Sequence, residues 1–271
     1  MKKLLFLLIV VGSNVYAQHS LEKVWTTDST SLKNPESVRY DPKAKILFVS
    51  NIGEFGKDNV GYVSKIGLDG KIIKKDWVTG LTGTKGLAMN KNTLYAAENA
   101  AVAVIDIAKG TITKRITIEG AQMLNDITVD SKGAVYVSDS KTGKIHKIEN
   151  DKPSVYLENL TSVNGLLAVD NDLYILADGK FWRADSNKKL TQLVDGLEGG
   201  MDSIEMVEKG GFLLTNWNGI IYYVKDDGSK QVLSDTRDKK INAADLGWDP
   251  ATKILYVPQM LNNRVTAFKL K

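Results

Sequence analysis

From Pro35 onward the chain alternates short apolar runs with turn-forming clusters, and no stretch of useful length carries the 3.6-residue period of an amphipathic helix. Six segments open on one phrase, a polar or small residue followed by apolar positions. They start at Glu36-Ser37-Val38, Lys85-Gly86-Leu87, Asn125-Asp126-Ile127, Asn164-Gly165-Leu166, Asp202-Ser203-Ile204 and Ala244-Asp245-Leu246. A second run follows, as in Ile46-Leu47-Phe48-Val49-Ser50, Thr93-Leu94-Tyr95-Ala96-Ala97 and Ala134-Val135-Tyr136-Val137-Ser138. These runs are β-branched and aromatic, as strands are. Turn signals at Asp41-Pro42, Ser131-Lys132-Gly133, Lys209-Gly210-Gly211 and Asp249-Pro250 separate them. Third and fourth runs complete most units, for example Lys144-Ile145-His146-Lys147-Ile148 and Ser154-Val155-Tyr156-Leu157.

Four short strands per unit, with starts 49, 40, 39, 38 and 42 residues apart, describe the blades of an all-β, six-bladed β-propeller. A β-sandwich needs no such recurrent phrase at even steps. The longer first step leaves room for an insertion around Asn51 to Asn59. The sixth unit reaches Lys271 after three strands, while Leu21 to Thr26 is a strand-like piece without a unit of its own. That piece is expected to supply the missing outer strand and close the ring, removing an exposed sheet edge.

The segment before the repeats reads differently. Lys2 and Lys3, an apolar run from Leu4 to Val11 and Val15-Tyr16-Ala17 form a secretory signal over residues 1–17, with cleavage expected before Gln18 and the propeller over residues 18–271. The apolar run is far shorter than the roughly 20 residues a membrane-spanning helix needs, so no transmembrane segment is expected in the mature chain. The expected location is exported, periplasmic or extracellular. The chain has no cysteine, so no disulfide framework is available and stability rests on the core. Loss of Lys2 and Lys3 takes the basic residues from 36 to 34 against 32 acidic ones, a net charge of +2 that argues against a nucleic-acid partner.

In a propeller the innermost strands line the axis, so the six starting residues form a ring at one mouth of the channel. That ring reads Glu36, Lys85, Asn125, Asn164, Asp202 and Ala244. Two carboxylates gathered in a partly dry funnel repel, and uncompensated burial costs several kcal/mol per ion, as an order of magnitude. Two compensations are open on residue types alone. Oxygen donors from Glu36, Asp202, Asn125 and Asn164 suit a hard divalent cation, Ca²⁺ before Zn²⁺, Mn²⁺ or Mg²⁺. Alternatively, Lys85 supplies the positive charge and the ring is a salt-bridged, water-filled pore.

These phrases resemble the SMP-30/gluconolactonase/LRE-like family of six-bladed propellers, which bind a divalent metal at the channel mouth and whose enzymatic members hydrolyse sugar lactones. Pro35-Glu36 is similar to its Pro-Glu-Gly phrase. Asn125-Asp126, followed by Val129-Asp130, Gly133 and Tyr136, is similar to its Asn-Asp phrase, and Asn164-Gly165-Leu166 to its Asn-Gly motif. Asp202 takes the place of the Asp in its Asp-Gly motif. The resemblance implies Glu36, Asn164 and Asp202 as metal ligands, Asp202 also as general base, and Asn125 with Lys85 as substrate-binding residues. It implies a metal-dependent carboxylic ester hydrolase acting on a small lactone or sugar-acid ester. Ser37 and Ser203 stand where the family has glycine, Met201 where it has proline and Met123 where some lactonases have arginine, which puts the turns and the sugar-acid contacts in question. The rival expectation is a non-catalytic exported propeller that binds a small ligand or a protein partner, using aromatic residues such as Trp182 and Trp217. Against nucleophilic catalysis, the chain has no cysteine, no Gly-x-Ser-x-Gly elbow, and neither His19 nor His146 in the ring.

Overall fold

The computed structural model describes residues 18–271, and the expected signal over residues 1–17 lies outside the described residues. Residues 35–235 run as five successive four-stranded antiparallel sheets, and residues 247–270 supply three strands of a sixth. The first strand, β1 (Leu21–Thr26), stands apart from its sequence neighbours. Blade one holds β2 (Pro35–Asp41), β3 (Ile46–Asn51), β4 (Gly61–Gly67) and β5 (Ile72–Leu81). Blade two holds β6 (Leu87–Asn90), β7 (Thr93–Ala97), β8 (Ala101–Asp106) and β9 (Thr111–Thr117). Blade three holds β10 (Leu124–Val129), β11 (Val135–Asp139), β12 (Lys144–Glu149) and β13 (Lys152–Leu157). Blade four holds β14 (Leu166–Val169), β15 (Asp172–Ala177), β16 (Lys180–Ala184) and β17 (Leu190–Val194). Blade five holds β18 (Met201–Glu208), β19 (Gly211–Asn216), β20 (Ile220–Lys225) and β21 (Lys230–Asp235). Blade six has β22 (Gly247–Asp249), β23 (Ile254–Gln259) and β24 (Arg264–Leu270) from the C-terminal end, and β1 as its outer strand.

The fold is therefore a six-bladed β-propeller closed by the N-terminal strand. Leu21 pairs with Leu270 and Thr26 with Thr266, and Ser20 and Lys271 exchange backbone hydrogen bonds beyond the strand ends. No helix among the described residues is long and apolar enough to cross a membrane.

Strand alternation explains how the blades cohere. Successive side chains point to opposite faces of a strand, so a middle strand wedged between two blades must be apolar on both. In β3, Leu47 and Val49 pack with Tyr256 and Val265 of blade six, while Phe48 packs with Leu94 and Ile105 of blade two. Each such fully buried Leu or Phe contributes about 1.5–3 kcal/mol. Trp77 adds a ring contact to Phe48 at 4.8 Å, and the Lys65 ammonium lies 4.2 Å from the Trp77 ring. The outer strands are polar, as their exposure requires; β13 (Lys152–Leu157) has no fully buried residue.

Candidate functional site

The inner strands break strand alternation where they reach the mouth. In blades one, three and five the pairing with the second strand shifts register between Pro35 and Val38, Leu124 and Ile127, and Met201 and Ile204. Such bulges leave residues unpaired and re-aim their side chains. Two consecutive residues are thereby released from the ladder in each of these blades: Glu36 and Ser37, Asn125 and Asp126, Asp202 and Ser203. In blades two and four the second residue is glycine for steric reasons. A Cβ at Gly86 would lie 2.7 Å from the Asn125 carbonyl oxygen, and one at Gly165 would lie 2.6 Å from that of Asp202.

The first-residue ring combines burial with incomplete hydrogen bonding. Glu36 and Asp202 are each 4% exposed. Burial, with repulsion from Asp202 and Asp245, raises the Glu36 carboxyl well above its ordinary range. Burial and repulsion from Asp245 push Asp202 up to about 7, against one side-chain bond from the Asn164 amide, Nδ2 to Oδ1, at 2.7 Å. Asn164 Nδ2 also reaches the Met201 carbonyl at 3.3 Å. Glu36 Oε2 and Asn164 Oδ1 are buried and accept no hydrogen bond. Unpaired oxygens of this kind cost free energy unless a donor or cation meets them.

Lys85 is held by the Gly83 carbonyl at 3.0 Å and Asn99 Oδ1 at 3.2 Å, and makes no ion pair with Glu36. Burial lowers its pKa and the Glu36 charge opposes that effect. It stands close enough to favour the Glu36 carboxylate electrostatically without occupying its free oxygen. Asn125 is anchored by a bond from Nδ2 to Ser140 Oγ at 3.1 Å, and Ser140 in turn donates to the Val163 carbonyl at 2.7 Å. Ala244 is buried, so blade six contributes no polar atom from this ring position.

A second ring lies beneath the first. Asp126 accepts from the Ile127 and Leu166 amides, both at 2.7 Å, and thereby joins blades three and four. Burial and repulsion from Asp245 raise its pKa despite these bonds. Asp245 accepts from Ser37 Oγ and from Ser203 Oγ, the latter at 2.6 Å; burial raises it to about 6 against those two bonds. One turn of the pleat deeper, Arg39 and Glu205 form an ion pair at 3.3 Å between blades one and five, and burial raises Glu205 to about 7 although Arg39 opposes the shift. These groups surround a cavity of about 20 Å³, room for about one water.

Asp126, Asp245, Glu205 and Arg39 are channel residues that the ring of starting positions did not include. The visible signals were the Asp beside Asn125 and beside Ala244. Ser37 and Ser203, read from sequence as disturbances of glycine turns, are hydrogen-bond donors to Asp245 in place of turn glycines. Neither histidine reaches the channel: His19 lies 4.2 Å from the Tyr223 ring at the outer edge, and His146 is buried in β12, the third strand of its blade.

Among the described residues no group of three or more His, Cys, Asp and Glu side chains is arranged to hold a metal ion. The mixed set of Glu36, Asp202 and the Asn164 carbonyl nevertheless fits a hard cation in its chemistry. It offers oxygen donors only, and two of its oxygens are buried without a partner.

Beside the mouth, between blades five and six, Trp217, Asn218, Arg237, Lys240, Asn242 and Leu261 line an open hollow of about 440 Å³. Trp217 directly follows Asn216, whose strand partner is Met201, so the hollow lies on the same end of blade five as Met201. Trp182 instead packs against the core between blades three and four.

No protein-family model matches the chain, and no curated protein matches it. Solved structures do. A streptogramin B lyase matches with a TM-score of 0.69 at 12% identity, over 93% of this chain and 98% of that one. A gluconolactonase from Xanthomonas campestris matches with a TM-score of 0.67 at 16% identity, over 89% of this chain and 87% of that one. A chain of a nidogen/laminin complex structure matches with a TM-score of 0.64 at 15% identity, over 79% of this chain and 84% of that one. At these identities the likeness is one of fold.

Proposed function

We propose that this propeller is a divalent-cation-dependent hydrolase of cyclic esters, of the sugar-lactone type, with its reaction centre at the channel mouth. The observation that carries this reading is the pair of buried oxygens without partners, Glu36 Oε2 and Asn164 Oδ1, beside the buried Asp202. Five channel carboxylates, Glu36, Asp126, Asp202, Glu205 and Asp245, have raised pKa values, and the facing basic side chains are Lys85 and Arg39. Ionised together, they call for additional positive charge. The likeness to a gluconolactonase fold and the phrases around Glu36, Asn125, Asn164 and Asp202 support the same reading.

Glu36, Asn164 and Asp202 would hold the ion, Ca²⁺ by donor type, and the ion would supply Lewis-acid polarisation of the ester carbonyl. Asp202 has the chemistry of a general base: its carboxylate takes a proton from water as the water oxygen adds to the carbonyl carbon. The Asn164 amide fixes that carboxylate through Oδ1, leaving Oδ2 for the water. Lys85 and Asn125, from the neighbouring blades, orient the substrate; the Lys85 ammonium favours negative charge as it develops on oxygen. Collapse of the adduct breaks the ring C–O bond, and the proton carried by Asp202 returns to the leaving alkoxide.

A second reading, a non-catalytic binder, draws on the hollow at Trp217 and Leu261.

The test is hydrolysis of gluconolactone and a small lactone panel by chelator-treated protein, with Ca²⁺, Mn²⁺ or Zn²⁺ restored. Turnover that returns with metal and disappears in Asp202→Ala supports the hydrolase. A metal-dependent rise in melting temperature without turnover supports the binder, and no response to metal in either measurement overturns the cation site.

A further inference from the structure

The two carboxylates of the proposed cation site are followed in sequence by serines, Glu36 by Ser37 and Asp202 by Ser203, and both serines donate to the same carboxylate on a third blade. Ser37 Oγ donates to Asp245 Oδ2, and Ser203 Oγ donates to Asp245 Oδ1 at 2.6 Å. Each serine also accepts a backbone amide at the start of the following blade, Leu87 N for Ser37 and Leu246 N for Ser203, both at 3.2 Å. A continuous buried chain therefore runs from blade two through Ser37, Asp245 and Ser203 to blade six. The three side chains that form it are 1%, 8% and 1% exposed.

Backbone contacts reinforce one side of the arrangement. The Asp245 amide donates to the Glu36 carbonyl and the Val38 amide to the Asp245 carbonyl, both at 3.0 Å, in a parallel bridge between Ser37 and Asp245. The bulges make these links consequential, because residues 36–37 and 202–203 are released from the ladder of their own blades. Within their own blades, Ser37 N reaches only the Ser50 hydroxyl and Ser203 N the Thr215 hydroxyl. The other channel carboxylate of this ring, Asp126, spends both oxygens on backbone amides and holds neither Glu36 nor Asp202.

We propose that Asp245 is a positioning residue, which fixes the separation of the Glu36 and Asp202 carboxylates by holding, from blade six, the serine attached to each. Two acceptor oxygens on one planar group meet two hydroxyls from opposite sides, a task that neither Ser nor Ala at this position performs. Its consequence for cation binding rests on the reading of Glu36, Asn164 and Asp202 as the ligand set. Outer groups that orient ligands typically change metal affinity by about 10- to 100-fold when removed.

The experiment compares wild type, Asp245→Asn, the double variant Ser37→Ala/Ser203→Ala, and Thr128→Val as a control. Thr128 makes the same kind of blade-to-blade bond, accepting the Ala168 amide at 3.1 Å, without touching the serines. Crystal structures of the metal-free proteins report the Glu36–Asp202 separation, and calorimetric titration with Ca²⁺ reports affinity. Asp245→Asn and the double variant are expected to shift that separation by about 1 Å, the looseness at which a preorganised site fails. They are also expected to bind Ca²⁺ at least about ten-fold more weakly, while Thr128→Val loses thermal stability with affinity held. An unchanged separation in both test variants overturns the proposal, as does an equal loss of affinity in the control. If wild type binds no Ca²⁺, the cation reading falls, and the crystallographic separation alone decides the role of Asp245.

Discussion

Asp139 and Asp202 are the same residue type in the same kind of place, buried near the top of a blade, and they are electrostatic opposites. Asp139 is fully buried and Asp202 is 4% exposed. Burial pushes the Asp139 carboxyl up, but hydrogen bonds from the backbone amides of Gln122, Thr142 and Met123, at 2.9–3.2 Å, overcome it and leave the pKa below its ordinary value. Asp202 receives one side-chain amide and faces other acids, and it rises to about 7. Both side chains are withdrawn from solvent; the depth of protein around them, donor count and neighbouring charge differ. A buried carboxylate saturated with amides is architecture, whereas one left under-donated among like charges is available for chemistry.

The largest effect that tests this contrast is on turnover. Asp202→Ala is expected to lower kcat by at least about 10²-fold in lactone hydrolysis, the scale of a lost general base. Asp139→Ala should leave turnover intact at low temperature but cost about 3 kcal/mol of stability, because several buried amides lose their acceptor; denaturant unfolding measures it. An inactive but stable Asp139→Ala would break the distinction.

The next effect is on the pH dependence of stability without metal. Glu36, Asp126, Asp202, Glu205 and Asp245 have folded pKa values above their unfolded ones, so between the two values the folded chain binds more protons than the unfolded chain. Their contribution is therefore fully present below the unfolded carboxylate values and is lost as pH rises through about 6 for Asp245 and about 7 for Asp202 and Glu205. Buried His146, with its pKa lowered mainly by burial, works the other way below its unfolded value, and the lowered carboxyl of Asp139 loses its contribution only at still lower pH. In chelator the melting temperature should be higher near pH 5.5 than near pH 8 by at least about 5 °C, and Ca²⁺ should remove most of the difference. A flat profile in chelator contradicts the repelling cluster.

A smaller effect is expected from Glu36→Gln. Removing one desolvated charge should raise the metal-free melting temperature by about 2 °C and abolish the response to Ca²⁺ in the same thermal scan. Smallest of all, Lys74→Glu with Lys75→Glu, on an exposed stretch of β5, should change unfolding free energy by no more than about 0.5 kcal/mol.

The architecture was largely legible in the sequence because each blade repeats one apolar phrase and the count of strands fell one short at the C-terminal end. That shortfall identified Leu21–Thr26 as the closing strand. The first ring was legible for the same reason: Glu36, Lys85, Asn125, Asn164, Asp202 and Ala244 begin equivalent phrases. The second ring was hidden by strand alternation, which assigns adjacent residues to opposite faces. Bulges suspend that rule at Ser37, Asp126 and Ser203, and one sequence does not announce a bulge where glycine is absent. The partnership of Arg39 with Glu205 was equally out of reach, since the two residues are 166 positions apart and no local spacing relates them. Lys85 illustrates the remaining limit: its type allowed a counter-ion to Glu36, and only its bonds to Gly83 and Asn99 show where its ammonium group is engaged.

The pairing of β1 with β24 bears on the order in which this molecule assembles. During synthesis Leu21–Thr26 is made before the other strands of the ring, yet its hydrogen-bonding partner, Arg264–Leu270, is made after them. Blades one to five draw their strands from contiguous sequence and can form as the chain emerges, but the sixth must wait for β24. Closure is a contact of very high sequence separation, the kind that slows folding and leaves an unpaired edge exposed in the interim. A nascent chain stalled or cut short before Arg264 would carry five blades, a stranded first segment and no complete ring.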